Sequence, residues 1–329
     1  MLDSKKIDIS VYMLTYYHEE YIAQAIESIL MQKTQYSYEI VISDDCSQDG
    51  TYRIIQDYAN KYPNIIRINR NIENIGIPNN IYKARCMCRG RYIVCLAGDD
   101  YWIDESKIQK QCSFLENHNE FFAVCCCFEM RYDDDVEAVK VFPKPYQRNK
   151  EYTIFDYEKG QTLYLNGLMM RNVFTTEEGR NFFGRAKEIS DIVDDAVDTV
   201  LILQYGRIYV MNEIQNVYRA NRSKKNKYNY NSRYTQMEKT KNSITLYNNL
   251  YESFGSAVNF KNKYAGLFGI AWLYMISTNN WADYFALYDT IPCEYRKPLH
   301  SSVLLRSVKY SVVALFHQVS IIKAKRIRK

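Results

Sequence analysis

Two adjacent carboxylates, Asp99 and Asp100, directly follow an apolar run at residues 92–96, and an aromatic pair comes next. A strand that ends on acidic residues places them at the carboxyl edge of a sheet, where α/β folds bind their ligands. Hard cations such as Mg²⁺ and Mn²⁺ take oxygen ligands and keep positions open for substrate phosphates. The segment therefore predicts a metal–phosphate site, with a plain Gly-Asp-Asp turn as the simpler interpretation.

The elements that must position these carboxylates alternate along the first half of the chain. Apolar runs predict strands at residues 7–14, 38–43, 65–68, 92–96 and 121–128. Helical spacing of apolar residues predicts helices at 19–31, 50–62, 77–88 and 105–116. Strands and helices in strict alternation indicate an α/β fold with a mostly parallel, doubly wound sheet.

A second acidic pair, Asp44-Asp45, follows the second predicted strand. The first strand is followed by Thr-Tyr-Tyr-His-Glu at residues 15–19, with no glycine. A dinucleotide-binding fold would place a glycine-rich phosphate turn there. We therefore expect a metal ion to neutralise the phosphates, which argues against a dehydrogenase and for an enzyme that uses a sugar nucleotide.

Bulk composition is that of a globular protein. The 329 residues are 47% apolar and 25% charged, and the net charge of +5 is too small to indicate nucleic-acid binding. Nine cysteines, three of them consecutive at 125–127, predict structural thiols in a buried strand and a reducing, cytosolic compartment. Residues 1–7 show no signal peptide, and no window of about 18 apolar residues predicts a membrane span.

Beyond these units, residues 161–171 are apolar around Asn166-Gly167 and predict a strand or hairpin that lines one side of the site. A helix is predicted at 191–205, a short strand at 207–211, and an exposed loop at 221–234. From residue 237 the pattern is helical, which divides the chain into domains at 1–236 and 237–329. An amphipathic helix at 303–322 with a basic end suits an anionic membrane surface or packing on the domain.

Four segments together resemble glycosyltransferase family 2, the inverting enzymes of the GT-A fold, over residues 7–220. They are Thr-Tyr-Tyr-His-Glu-Glu-Tyr-Ile at 15–22, Glu-Ile-Val-Ile-Ser-Asp-Asp-Cys-Ser-Gln-Asp-Gly-Thr at 39–51, Asn-Ile-Gly at 74–76 and Gly-Asp-Asp-Tyr-Trp at 98–102. The chain is most similar to bacterial members that build surface polysaccharides. Tyr17 and Ala97 depart from the family pattern, which usually has Asn and an acidic residue there.

The resemblance implies roles for individual residues. Tyr16 would stack on the nucleotide base, and Glu19 lies in the same nucleotide-binding segment. Asp45 would bond the uracil edge. The metal ion, Mn²⁺ or Mg²⁺, would bind Asp99 with Asp100 close by, and both carboxylates belong to the nucleotide site.

The resemblance also implies a catalytic base and a clamp for the leaving group. The base is an Asp that opens the helix before Gly206, which falls on Asp195, with the choice among Asp194, Asp195 and Asp198 open. Arg219 and Arg222 would clamp the leaving diphosphate.

The expected function is an inverting, metal-dependent glycosyltransferase that moves a sugar from a UDP-sugar to a hydroxyl of a glycan or lipid-linked acceptor. We expect it in the cytoplasm, with peripheral contact at the inner face of the membrane through the C-terminal helix. A homo-oligomer partner is an alternative role for the helical region. A nucleotidyltransferase is disfavoured because no early phosphate loop is present. The remaining alternative is a non-catalytic GT-A partner that binds glycan or another enzyme.

Overall fold

The computed structural model describes residues 6–132, 140–190, 195–220, 234–278 and 281–296. It divides into two compact units, Met1–Ile154 with Thr162–Ser223, and Phe155–Gln161 with Lys224–Lys329. The predicted division after residue 236 therefore falls inside the second unit, which also recruits the short segment 155–161.

Within the described residues, the first unit contains one sheet of ten strands. The strands are β1 (Ile9–Thr15), β2 (Tyr38–Asp44), β3 (Ile66–Arg70), β4 (Tyr92–Ala97), β5 (Tyr101–Trp102), β6 (Phe121–Tyr132), β7 (Lys140–Phe142), β8 (Lys150–Tyr152), β9 (Met169–Arg171) and β10 (Arg207–Ala220). Their main order is β3-β2-β1-β4-β9-β6-β10-β5, with β7 paired to β6 and β8 paired to β10.

Helices connect these strands much as the alternation predicts. They are α1 (Ile22–Leu30), α2 (Thr51–Lys61), α3 (Ile77–Met87), α4 (Lys107–Asn117), α5 (Ile154–Glu158), α6 (Glu177–Gly184), α7 (Ala186–Ile189) and α8 (Asp195–Tyr205). α1 shows the local reason for such helices, because Ile22, Ile26 and Ile29 recur at helical spacing and all are buried. The predicted α/β alternation is confirmed.

The sheet is parallel on one side and mixed on the other. β1 pairs in parallel with β2 and β4, and β2 pairs in parallel with β3. β9 then lies antiparallel to both β4 and β6, so it joins the parallel half to the parallel pair β6 and β10. The predicted strand or hairpin at 161–171 contains this inserted strand, but its antiparallel pairing with β4 and β6 was not predicted. Its consequence is that β4 and β10 sit on either side of β9 and β6 in one continuous sheet.

The core of the first unit is the apolar interior of this sheet. Ile9, Val11 and Met13 on one face of β1 are fully buried, and Ser10 and Tyr12 on the other face are buried too, so both faces of this central strand are covered. The consecutive cysteines 125–127 on β6 are also fully buried, which confirms the predicted thiol-containing strand. All nine cysteines are free thiols.

The second unit is helical, as predicted. It contains α9 (Gln236–Phe254), α10 (Lys261–Thr278) and α11 (Trp281–Thr290). Thr235 and Glu238 form a capping box that starts α9, because each side chain accepts a backbone N–H of the other. None of the helices described is long and apolar enough to cross a membrane. The predicted amphipathic helix at 303–322 and its basic end lie outside the described residues.

Candidate active site

The carboxyl ends of β1, β2 and β4 lie at one edge of the sheet because these three strands run parallel in register. Tyr16 follows β1, Asp45 follows β2, and the Asp99-Asp100 pair follows β4. Four of the predicted site residues therefore come from three strand ends at the same edge. Parallel strands of α/β folds bind ligands at this edge.

Gly98 lets the end of β4 approach the end of β1 closely. A Cβ atom at this position would lie 2.8 Å from the His18 Nδ1 atom and 3.0 Å from the Thr15 Cβ atom. His18 thereby comes to stand beside the acidic pair, with its Nε2 atom 3.8 Å from the Asp99 Oδ2 atom. The sequence pattern did not assign a role to His18.

The two adjacent carboxylates have different environments. The Asp100 side chain is buried, and its Oδ1 atom accepts the Arg219 backbone N–H at 2.9 Å. Its Oδ2 atom accepts the Asn166 side-chain N–H at 2.8 Å. Burial, followed by the charge of Asp99, raises the pKa of Asp100 well above its ordinary value. The Asp99 side chain is 39% exposed, so Asp99 is the carboxylate of the pair that a ligand can reach.

The donor set fits a metal ion that a substrate helps to bind. Among the described residues, no three His, Cys, Asp or Glu side chains come together as a metal site. Mg²⁺-like ions are commonly held by one or two carboxylates plus substrate phosphates, and the open Asp99 with its fixed neighbour Asp100 matches that arrangement. Asp99 therefore offers an accessible carboxylate of the kind that such cations bind.

Arg219, near the end of β10, is fixed beside Asp99. One terminal guanidinium nitrogen donates to the Asp99 backbone carbonyl at 2.5 Å, and the other donates to the Gln24 side chain. The guanidinium carbon lies 4.8 Å from the ring centre of Tyr21 and 4.6 Å from that of Tyr101. The aromatic rings and the carbonyl thus hold a permanent positive charge next to the exposed carboxylate. Arg222, its predicted companion, lies outside the described residues.

Asp45 holds a loop in place. Its Oδ1 atom accepts the Asn71 side chain and the Ile75 backbone N–H, both at 2.9 Å. Its Oδ2 atom accepts the Gly76 backbone N–H at 3.0 Å. The carboxylate is almost fully buried. Asp45 therefore ties the loop after β3 to the end of β2, and its predicted bond to a uracil edge stays a prediction.

The first motif forms the turn after β1. Tyr16 is half-buried and meets the Tyr17 ring edge-on, with 4.6 Å between the ring centres. Tyr17 has a φ of 58°, a conformation that Asn adopts more readily than other non-glycine residues. Glu19 is exposed, and its Oε2 atom accepts the Gly50 backbone N–H at 2.9 Å. The predicted roles of Tyr16 and Glu19 toward a nucleotide stay predictions.

The three candidate bases have distinct positions. Asp195 begins α8, and its Oδ2 atom lies 3.4 Å from the Leu165 backbone nitrogen. Asp198, one turn later, forms a two-pronged ion pair with Arg85 of α3 at 3.0 and 2.6 Å. This ion pair gives Asp198 a structural partner, so Asp195 is the better candidate of the two. Asp194 lies outside the described residues.

Tyr218 reports how these carboxylates converge. Partial burial and the charges of Asp100, Asp99 and Asp195 raise the pKa of its phenol to about 12. The Asp99-Asp100 pair and Asp195, from two parts of the chain, therefore act electrostatically on one ring. Hydrogen bonds place the two parts near each other, because Leu165 contacts Asp195 and the next residue, Asn166, contacts Asp100.

Asn166 is a contributor whose role sequence reasoning did not identify. The predicted strand or hairpin at 161–171 contains the turn Leu165–Leu168 and the strand β9, and Asn166 in this turn bonds Asp100. The only sequence signal was the Asn-Gly pair, which predicts a turn but no partner. The 66 residues between Asn166 and Asp100 explain why the contact could not be read from local spacing.

In this α/β sheet, carboxylates lie where the parallel strands end, and an aspartate at the start of a helix lies near them. This arrangement resembles that of a GT-A glycosyltransferase domain. Residues 10–172 match the family model described as Glycosyl transferase family 2. The match spans just under half of the chain and agrees with the family that the sequence motifs predict.

Two curated relatives have similar sequences. The uncharacterized protein Rv1520 of Mycobacterium tuberculosis is 34% identical over 143 residues, which are 43% of this chain and 41% of that protein. Poly(ribitol-phosphate) beta-N-acetylglucosaminyltransferase TarS of Staphylococcus aureus is 31% identical over 114 residues, which are 33% of this chain and 19% of TarS. The matches thus span about two fifths or less of these relatives' lengths.

Two solved structures share the fold over most of the chain. S. aureus TarS 1-349 in complex with UDP-GlcNAc has a TM-score of 0.54 and 16% identity, over 92% of this chain and 89% of that one. Mannosyltransferase PcManGT from Pyrobaculum calidifontis, in complex with GDP-Man and Mn²⁺, has a TM-score of 0.54 and 15% identity, over 93% of this chain and 87% of that one. The likeness confirms the predicted GT-A fold class with a helical C-terminal region.

Proposed function

We propose that this protein is a metal-dependent, inverting glycosyltransferase. It transfers a sugar from a UDP-sugar to a hydroxyl of a glycan or lipid-linked acceptor in bacterial surface polysaccharide synthesis. The observation that carries the proposal is that two consecutive residues contact both acidic parts of the site, Leu165 at Asp195 and Asn166 at Asp100, while Arg219 bonds the backbone carbonyl of Asp99. The family match of residues 10–172 and the naming of TarS as a beta-N-acetylglucosaminyltransferase support the reaction class.

In the proposed reaction, Asp195 accepts the proton of the acceptor hydroxyl as its oxygen attacks the anomeric carbon of the donor sugar. A new bond forms from that carbon to the acceptor oxygen. The bond from the anomeric carbon to the diphosphate breaks on the opposite face, and its electron pair leaves with the nucleoside diphosphate. The anomeric configuration inverts because attack and departure occur on opposite faces.

The departing diphosphate gains negative charge, which needs stabilisation. We infer that the Arg219 guanidinium meets this charge, since it donates to the backbone carbonyl of Asp99 at the end of β4. A Mn²⁺ or Mg²⁺ ion held by Asp99 would neutralise part of the diphosphate charge when bound. The Asp100 carboxylate, held by Asn166 and by the Arg219 backbone, fixes the end of β4 against β10.

A calorimetric titration with UDP, with and without Mn²⁺, tests the nucleotide site first. We expect UDP to bind and Mn²⁺ to raise its affinity. GDP serves as the second nucleotide, because the P. calidifontis neighbour was solved with GDP-Man. Failure to bind any nucleoside diphosphate would overturn the proposal in favour of a non-catalytic GT-A protein that binds glycan or another enzyme.

Turnover and stereochemistry test the reaction. Incubation with a panel of UDP-sugars should release UDP, and NMR of the glycoside product should show an anomeric configuration opposite to that of the donor. A product that retains the donor configuration would contradict the role of Asp195 as a base in a single displacement.

We also propose that the C-terminal region brings the enzyme to the inner face of the cytoplasmic membrane. Five of the last seven residues are basic, which favours an anionic lipid surface. Deletion of residues 301–329 should move the protein from the membrane fraction to the supernatant of a cell lysate. A full chain found wholly in the supernatant would contradict this localisation.

A further inference from the structure

A lysine buried beneath the site has no role in the reaction described above. Lys107, the first residue of α4, is fully buried. None of the ion pairs among the described residues includes it. Burying an ammonium group without a carboxylate partner is costly, because the charge loses its water. A buried lysine of this kind therefore needs other groups that compensate its charge.

Neutral groups from several elements surround the ammonium group. The Lys107 Nζ atom donates to the Gly167 backbone carbonyl at 2.9 Å and to the Gln111 side-chain carbonyl at 3.1 Å. The Cys126 thiol lies at 3.3 Å and the Gln215 side-chain oxygen at 3.5 Å. Lys107 thereby links α4, β6 and β10 to the turn that contains Gly167.

Gly167 has a backbone conformation that residues with a side chain rarely adopt. Its φ is +76°, and a Cβ atom there would lie 1.9 Å from the Asn216 side-chain nitrogen. The Gln111 side chain also donates to the Gly167 carbonyl at 2.9 Å, and the Cys126 thiol of β6 donates to it at 3.8 Å. The two nitrogen donors, Lys107 and Gln111, come from α4, so this helix holds the turn from its buried side.

The same turn contacts both acidic parts of the candidate site. Asn166 donates to Asp100 at 2.8 Å, and its own oxygen accepts the Asn216 side chain at 2.7 Å. The backbone nitrogen of Leu165 lies 3.4 Å from Asp195. Three consecutive residues thus connect Lys107 to the fixed carboxylate on one side and to the candidate base on the other.

We propose that Lys107 is a positioning residue for glycosyl transfer. By bonding the Gly167 carbonyl, Lys107 holds the turn that contacts Asp100 and Asp195. This inference rests on the proposed function of the site. Lys107 touches no substrate and acts through the turn alone. Small displacements of reacting groups lower rates strongly, by about 100-fold for a shift of about 1 Å.

The test compares Lys107→Met with Lys110→Met in the full-length protein. Methionine is an unbranched side chain one atom shorter than lysine, of similar volume and without a donor or a charge, and Gln111 still donates to Gly167. Replacing a buried charge by an apolar group of similar volume is often neutral or stabilising. Lys110 lies on the same helix, is 43% exposed and pairs with Asp104, so its variant is a matched surface control.

For Lys107→Met we expect a melting temperature equal to or above that of the wild type and a kcat about 10- to 100-fold lower. The KM for the UDP-sugar should stay within about twofold, because the hydrogen bonds described for residues 165–167 involve neither Asp99 nor the Arg219 side chain. The ascending limb of the pH–rate profile should move to higher pH, since a looser turn weakens the Leu165 N–H contact that favours ionised Asp195. Amide hydrogen exchange of residues 163–168 should become faster. Lys110→Met should match the wild type in all five measurements.

A purely structural role predicts a lower melting temperature with unchanged kcat per folded molecule and an unchanged pH profile, and that result would overturn the proposal. If Lys107→Met does not fold, Lys107→Gln, which keeps a shorter donor, should fold and show faster exchange of residues 163–168 with reduced kcat. A Lys107→Gln enzyme with wild-type kcat and exchange would overturn it equally. If the wild-type protein turns over no sugar nucleotide, the proposed function itself is overturned. If the wild type is active and the Lys107 variants are equally active, only the positioning role is overturned.

Discussion

Arg85 of α3 and Asp198 of α8 form a buried ion pair in which two guanidinium nitrogens donate to the two carboxylate oxygens, at 3.0 and 2.6 Å. The third guanidinium donor bonds the Tyr12 hydroxyl at 3.0 Å. This geometry joins α3 to α8 and to the central strand β1. A carboxylate whose two oxygens both accept hydrogen bonds from a buried arginine is held in place by them, so it has little freedom to turn toward a substrate.

The two aspartates of α8 should therefore respond differently to the same substitution. Asp195→Asn should lower kcat at least about 100-fold, the usual loss on removing a general base, with little change in stability. Asp198→Asn should lower the free energy of unfolding by about 3 kcal/mol, because it leaves Arg85 buried without its counter-charge. Urea unfolding and activity per folded molecule separate the two effects. An Asp198→Asn enzyme that folds normally but is inactive would assign the base to Asp198.

Asp99 should control the metal dependence of nucleotide binding. Asp99→Asn removes the charge of the accessible carboxylate, so Mn²⁺ should no longer raise the affinity for UDP. Titration calorimetry of UDP with and without Mn²⁺ measures this effect directly. Asp57→Asn is the matched control, because Asp57 is an exposed carboxylate on α2. Equal stimulation by Mn²⁺ in the Asp99 variant and the wild type would place the metal ligands elsewhere.

Arg219 offers a test of the leaving-group clamp that leaves the fold intact. Its backbone N–H, which holds Asp100, is present in every variant at this position. Arg219→Met should weaken UDP binding about 10- to 100-fold, which corresponds to about 1.5–3 kcal/mol for a hydrogen bond to a charged group. Arg219→Lys should restore little, since an ammonium group lacks the planar fork that the Tyr21 and Tyr101 rings hold. Unchanged UDP affinity in Arg219→Met would reduce Arg219 to a structural role.

The sequence predicted those parts of the fold that depend on local periodicity. The strands at 38–44 and 92–97 and the helix at 51–61 agree with prediction within a residue at each end. β9 was not resolved from its surroundings, because its three residues acquire their shape from pairing with β4 and β6. β10 runs to residue 220 where a short strand was predicted, and its register shifts against β6 explain the interrupted apolar pattern.

The candidate site likewise has features that follow from local sequence and features that depend on residues far apart in the chain. The acidic pair and its place at the sheet edge follow from a strand that ends on two carboxylates. The separate environments of Asp99 and Asp100 depend on Asn166 and Arg219, which lie far away along the chain. Lys107 illustrates most clearly what cannot be predicted from local sequence. A lysine at the start of a helix is expected to be exposed to solvent, and only the tertiary structure buries this one.

Glu39 should make stability depend on pH at the opposite end of the sheet. Its Oε2 atom accepts two nitrogens of Arg89, at 3.0 and 2.6 Å, and one of Arg67 at 3.2 Å, while Ser10 donates to Oε1. Burial alone would raise the pKa of Glu39, but these hydrogen bonds outweigh it and lower the pKa below 4.5. A carboxylate with a depressed pKa stabilises the fold above its unfolded-state pKa and loses this contribution as pH falls through its folded-state pKa.

Glu39→Gln should therefore lower the free energy of unfolding by about 2 kcal/mol at pH 7, the order of a hydrogen bond to a charged group. The difference between variant and wild type should shrink as the pH falls below about 4.5, where the unfolded carboxylate protonates. Urea unfolding of both proteins from pH 7 to pH 3.5 measures this difference. Glu151→Gln is the control, because Glu151 forms an exposed pair with Arg207 that contributes less than about 1 kcal/mol. A Glu39→Gln difference that stays constant over this pH range would show that the side chain contributes through packing rather than through its charge.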